Sequence, residues 1–183
     1  AVGRKWIEMF RRRVPLFTIF GFDVGVDLSW LFLALLVTVS LATGIFPQHH
    51  PELSAVTHWI MGVVGALLLF ASIVFHEFWH SVVARQYGLP MRGITLFLFG
   101  GIAEMSEQPR EPKTELLTAI AGPIASVVLG GVLFAVQQLG EAAGWAVAVV
   151  GVLGYLAYVN WLLAAFNLLP AFPLDGGRVL RSV

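Results

Sequence analysis

Residues 67–84 read LLLFASIVFHEFWHSVVA. Outside HEFWH this is the apolar material of a buried or lipid-facing helix, yet His76, Glu77 and His80 set two imidazoles and a carboxylate into it. On a helix, residues four apart project from one face, so both rings can reach a single metal ion. Glu77 lies beside them, where a carboxylate can hold a water molecule, take its proton and pass a proton on. On a water-facing helix these residues would be ordinary surface groups. Inside an apolar segment a carboxylate costs roughly 2.5–3.5 kcal/mol unless it is paired or used, and the bland explanation fails. Two histidines still leave a zinc ion one protein ligand short of the usual three.

The setting of that stretch is a membrane. The chain has 183 residues, 58% hydrophobic and 12% charged, with a mean hydropathy of +0.83. Soluble domains run near half apolar and a quarter charged, and one core made of these residues would lack the polar groups to cover it. A helical span needs roughly 20 apolar residues. Four spans can be drawn: about Asp27 to Phe46 closed by Pro47, His58 to Tyr87 closed by Gly88 and Pro90, Thr114 to Leu139, and Gly144 to Leu169 closed by Pro170. The connections PQHHPELSAVT and GEAA hold no Lys or Arg. All 11 basic residues, from Arg4 and Lys5 through Arg85, Arg92, Arg110 and Lys113 to Arg178 and Arg181, fall on the other side. The positive-inside rule makes that side cytoplasmic. The prediction is an integral, multi-pass membrane protein with both ends of this chain cytoplasmic.

Other functional classes fall away on composition. Formal net charge is zero, so no global field invites nucleic acid. Cysteine is absent, which excludes thiolate metal sites and leaves His and carboxylates as ligands. The basic, amphipathic GRKWIEMFRRRVPLF lacks the short apolar core and small-residue end of a cleavable signal peptide. VPLFTIFGFDVGVDLSW alternates enough to suggest a strand or interfacial segment, and Met91 to Met105, broken at Gly100-Gly101, reads as a hairpin dipping into the membrane from inside. The fold class is therefore all-α and polytopic, with about four transmembrane helices and a short membrane-associated β-hairpin or sheet on the cytoplasmic side.

The third metal ligand is sought on that same side. The fourth span ends in NLLPAFPLDGGR, where two prolines stop the helix and present Asp175 from irregular backbone. Arg85 follows His80 by five residues, so the histidine pair lies only about 8–13 Å below the cytoplasmic boundary at 1.5 Å per residue. Asp175 can match that depth. His49, His50 and His58 belong to the opposite face and read as exposed loop and helix-end residues.

Together, HEFWH on one span and N-x-x-P-x-x-x-x-D-G at the end of a later one resemble the site-2 protease family of intramembrane zinc metalloproteases. The intervening FGGIAEM and AGPIAS pieces resemble its prokaryotic members, particularly those carrying regulatory CBS domains. The resemblance implies one zinc ion per chain on His76, His80 and Asp175, with Glu77 as the catalytic acid and base. It implies a single-pass transmembrane protein as substrate, cleaved within the bilayer in regulated intramembrane proteolysis. The hairpin from Thr95 to Ala103 would then offer an edge strand to an unwound substrate. Thr95, Phe97, Phe99, Gly100 and Gly101, with Asn167, are the implied substrate-binding residues. A homo-oligomer is left open.

Two departures accompany this. The family generally has a small residue before the second histidine, where this chain has Trp79 after Phe78; both positions face away from the metal on a helix. The family's core also continues past the position of Val183, so residues 1–183 are expected to be a single metalloprotease core truncated at its C-terminus, without further helices or a regulatory domain. The competing reading is a non-enzymatic membrane metal transporter or metal-stabilised scaffold. The outer halves of the four spans hold no Asp or Glu to mark a crossing route.

Overall fold

The computed structural model describes residues 14–19, 22–26, 29–89, 91–97, 100–105 and 111–182. Four helices are long and apolar enough to cross a bilayer. Helix α1 is Ser29–Ser40, continued by a π turn at Leu41–Ile45 and a last α-helical turn at Phe46–His49. Helix α2 is Ala55–Gln86, α3 is Pro112–Ala142, α4 is Val147–Asn167, and a short α5 is Asp175–Ser182. In a medium without water the backbone must satisfy itself, and helices of this length do so.

Several boundaries differ from the sequence expectation. Pro47 does not end α1; it stands in the first turn of Phe46–His49. Immediately before it the helix widens into the π turn, and the proline ring, which clashes with a carbonyl one turn back in a regular α-helix, is carried through there. Helix α3 runs through the anticipated GEAA turn to Ala142. The chain reverses where Trp145 N–H donates to the Gly140 carbonyl (2.9 Å) and Gly144 N–H to that of Glu141 (3.1 Å). His58 is not exposed: it is 7% accessible, and its Nε2 donates to the His50 carbonyl at 2.9 Å. That carbonyl ends α1's last turn, so the ring closes the α1–α2 connection. His49 is exposed and His50 half-buried.

Packing among the spans follows membrane rules, in which small residues let backbones approach and large apolar residues face lipid. Leu41, Phe46, Met61, Ala66, Phe70, Val152 and Leu156 form the apolar core between α1, α2 and α4. Nearer the histidines the contact surfaces are small: Ala119, Ala121, Gly122, Ala125 and Ser126 on α3 are buried, as is Ala164 on α4. Leu31, Phe32, Leu35, Ile60, Leu67 and Val128 are large, apolar and exposed, the surface an integral membrane protein turns to hydrocarbon. Trp79 is 39% exposed and packs edge-on against Phe75, ring centroids 6.1 Å apart, on the lipid side of α2.

Backbone pairing joins β1 (Val14–Ile19), β2 (Phe22–Val26), β3 (Met91–Phe97) and β4 (Gly100–Met105) in a sheet of that order. Strands β1–β2 and β3–β4 pair antiparallel and β2–β3 pair parallel. Thr95 is opposite Gly25 on one side and Ile102 on the other. It and Phe97 therefore lie on an interior strand, not an edge. Of the hairpin only β4, which begins at Gly100 and Gly101, is an edge strand among the described residues. Phe99 lies outside them.

Candidate active site

Helix α2 carries the HEFWH stretch in its C-terminal third, and its regular geometry puts Ser72, His76 and His80 in one stripe, all buried. Helix α3 answers with a stripe of the same spacing: Thr118, Gly122 and Ser126, also buried. The two stripes meet. Nδ1 of His80 donates to the Thr118 carbonyl at 2.7 Å, and Nδ1 of His76 lies 2.8 Å from Ser126 Oγ. A carbonyl only accepts, so the His80 proton resides on Nδ1 and Nε2 carries a lone pair. The Ser126 hydroxyl can accept from His76 in the same way. Partners of this kind are what orient metal-binding imidazoles.

Asp175 arrives from 95 residues beyond His80. Irregular backbone is expected there from the prolines; Asp175 is instead the first residue of helix α5, where a carboxylate is favoured by the unsatisfied N–H groups. The loop before it includes a cis Phe172–Pro173 peptide bond. The next residue, Gly176, could carry no side chain, because a Cβ there would stand 2.3 Å from the Leu168 and Leu169 carbonyl oxygens. This close return of α5 onto the end of α4 brings Asp175 over the histidines. At its far end α5 is tied to α3: Arg181 Nε donates to Glu115 Oε1 at 2.8 Å, and the Arg181 Nη2 group reaches the same oxygen.

The result is a triangle of donor atoms. Asp175 Oδ2 lies 3.2 Å from His76 Nε2 and 3.1 Å from His80 Nε2, and the two nitrogens are 3.1 Å apart. His76 and His80 are 2% and 3% exposed, and the Asp175 side chain 13%. Two lone-pair nitrogens and a carboxylate converging this closely repel one another unless a cation lies among them. Ligands of a tetrahedral zinc ion at 2.0–2.1 Å would be about 3.3 Å apart, which these three edges approach. Among the described residues this is the one group of three or more metal-seeking side chains, so the donor set fits zinc.

The other anticipated residues are less tightly joined. Glu77 follows His76 on α2 and is half-buried, one helical step round from the histidine stripe. Asn167, the last residue of α4, donates from Nδ2 to its own helix at the Leu163 carbonyl (2.9 Å). Of Thr95, Phe97, Gly100 and Gly101 the strand placement is described above. Thr118, Gly122 and Ser126 are not among the residues that the sequence points to. Their one signal is polar or small residues at a spacing of four in an otherwise apolar span, the same interval as His76 and His80.

Comparison with known proteins agrees with this geometry. The sequence profile of Peptidase family M50 matches residues 64–143 and 137–183. Rip3 of Mycobacterium tuberculosis is 40% identical over 172 residues, 94% of this chain and 44% of its own. A Synechocystis sp. relative is 39% identical over 176 residues, 96% of this chain and 45% of its own. A zinc metalloprotease of Methanocaldococcus jannaschii is 35% identical over 176 residues, 93% of this chain. The chain thus spans about 45% of the length of these three relatives. The solved site-2 protease from Methanocaldococcus jannaschii superposes with a TM-score of 0.63 at 32% identity, covering 93% of this chain and 70% of that one. The HEFWH stripe, the late aspartate, the four spans and these matches make the chain a member of Peptidase family M50, the site-2 protease family.

Proposed function

We propose that residues 1–183 are the membrane core of a zinc endopeptidase that cleaves transmembrane segments of membrane-anchored proteins, with one zinc ion per chain. The observation that carries this reading is the 3.1–3.2 Å triangle of His76 Nε2, His80 Nε2 and Asp175 Oδ2, sunk in spanning helices.

In this reading His76, His80 and Asp175 hold the metal, and Thr118 and Ser126 hold the rings. Bound zinc supplies Lewis acidity that polarises the scissile carbonyl and acidifies water. Glu77, on the adjoining helical position, takes the proton of the attacking water and delivers it to the leaving amine. A helical peptide bond is shielded by its own backbone, so the substrate must be extended before attack. Strand β4, beginning at Gly100 and Gly101, supplies an edge for β-strand addition. Thr95 and Phe97 act from the interior strand beside it, and Phe99 is a further substrate-binding residue in this reading. Asn167, the last residue of α4, hydrogen-bonds the extended backbone of the substrate in this reading. The sheet lies on the cytoplasmic side of an inner membrane, both ends of the chain being cytoplasmic by the distribution of basic residues.

The test is metal content and cleavage together. Purified full-length protein in detergent should contain zinc, and should cut a single-pass reporter within its transmembrane segment in a chelator-sensitive way. Cleavage at full rate by protein shown to be free of zinc would refute the reading. Zinc uptake by proteoliposomes without cleavage would instead favour transport.

A further inference from the structure

Gly122 stands directly across from the metal-seeking atoms. A Cβ built on it would lie 2.2 Å from His80 Nε2, 2.6 Å from His76 Nε2 and 2.7 Å from His80 Cε1. Zinc–nitrogen bonds are about 2.0–2.1 Å, so a methyl group on residue 122 and a metal ion on the two histidines would claim the same volume.

Ordinarily such a clash is relieved by movement, and here each movement has a cost. The rings cannot swing away without giving up their Nδ1 partners, Thr118 O at 2.7 Å and Ser126 Oγ at 2.8 Å. Those partners flank Gly122 by four residues on either side of the same helix. Helix α3 therefore cannot retreat at residue 122 without drawing both away from the rings. Its flanks beside Gly122 are packed as well, since Ala119 and Ala121 are buried. The stripe Thr118–Gly122–Ser126 is thus two clasps with a gap between them.

We infer that Gly122 is a positioning residue that reserves the volume of the zinc ion and its open coordination position, so that any side chain there displaces metal. This rests on the zinc reading above. It assigns to α3 a part in metal binding although α3 contributes no ligand. Helix propensity runs the other way, because alanine is the better helix former. The methyl group would meet the rings with or without metal, so a change to alanine should cost some metal-free stability as well as removing the metal.

The experiment uses the full-length protein in detergent and compares wild type, Gly122→Ala and Gly131→Ala. Gly131 lies on the same helix, and a Cβ added there would meet nothing within 4 Å, so it serves as the control. Zinc content after dialysis and zinc affinity by chelator competition are read, with thermal unfolding in excess chelator. Gly122→Ala should weaken zinc binding beyond the roughly 10–100-fold typical of an altered outer-shell partner. It should unfold earlier than wild type in chelator, a difference that disappears when the same change is made in a His76→Ala/His80→Ala background, and Gly131→Ala should keep wild-type affinity. Wild-type zinc affinity in Gly122→Ala would overturn the inference and leave the zinc reading intact, whereas wild-type protein that binds no zinc would overturn both. If Gly122→Ala does not fold, the change is repeated in a His76→Ala/His80→Ala background, where the rings it meets are gone. Recovery of folding there supports the steric conflict, and failure there too overturns it.

Discussion

Ser126 Oγ lies 2.8 Å from Nδ1 of His76 across the α2–α3 contact, 50 residues away in the chain. With Nδ1 occupied, the ring presents Nε2 toward Asp175. Ser126→Ala removes the partner without adding bulk, leaving the ring free to rotate and a buried N–H unsatisfied. Zinc affinity should fall roughly 10–100-fold, measured by chelator competition. Unchanged affinity would mean that the packing of α3 alone holds the ring.

Glu77 is half-buried on α2, next to His76 but not on the stripe of His76 and His80. Glu77→Gln keeps the shape and removes the basicity. Cleavage of a transmembrane reporter should drop by about 10²–10⁴-fold, the usual contribution of a general acid–base group, while zinc stoichiometry stays at the wild-type value. Loss of zinc in this variant would instead make Glu77 a ligand.

Asp175 contacts both histidines through one oxygen. Asp175→Ala leaves two neutral nitrogens and should abolish stoichiometric zinc binding, with the loss of cleavage following metal content. Asp175→Asn, which keeps the volume and loses the charge, should bind zinc more weakly than wild type. Metal analysis of the two variants side by side separates charge from shape.

The Glu115–Arg181 pair ties α5 to the start of α3, with Glu115 buried and Arg181 half-exposed at its side chain. Arg181→Gln leaves a buried carboxylate with a weaker partner. Stability should fall by roughly 1–3 kcal/mol, the range for losing a hydrogen bond to a charged group. Because Asp175 begins the same short helix, zinc affinity should fall with it. A double-mutant cycle with Glu115→Gln checks that the two changes act through each other.

Asn160, deep in α4, donates to Ser72 Oγ at 3.1 Å and to the Leu156 carbonyl at 2.8 Å. Ser72 lies one turn from His76 on α2, so this pair anchors α4 to the helix that carries His76 and His80. Hydrogen bonds between membrane helices average about 0.6 kcal/mol, and Ser72→Ala should cost about that in an unfolding titration. Asn160→Leu should cost more, since a larger apolar group must enter a fully buried position.

Much of this molecule can be read along the chain because its causes are local. Apolar runs, the positions of the basic residues and a four-residue interval between His76 and His80 are properties of contiguous sequence, and membrane burial acts on each run separately. The weight of Asp175 comes from matching depths. Where neighbours decide, the structure departs from the sequence expectation: Pro47 passes through α1 by way of a π turn, His58 folds inward onto a carbonyl, and Thr95 lies between two strands.

Ser126, Thr118 and Gly122 show the same division most clearly. Each is a small or polar residue in an apolar helix, and nothing within α3 distinguishes it. Their meaning appears only when α3 packs on α2 in register, so that two acceptors meet two imidazoles and a missing side chain falls between them. Periodicity and charge are carried by the chain itself and survive without a fold. The closure of three donor atoms to 3.1–3.2 Å, and the space kept beside them, depend on how separate helices settle against one another.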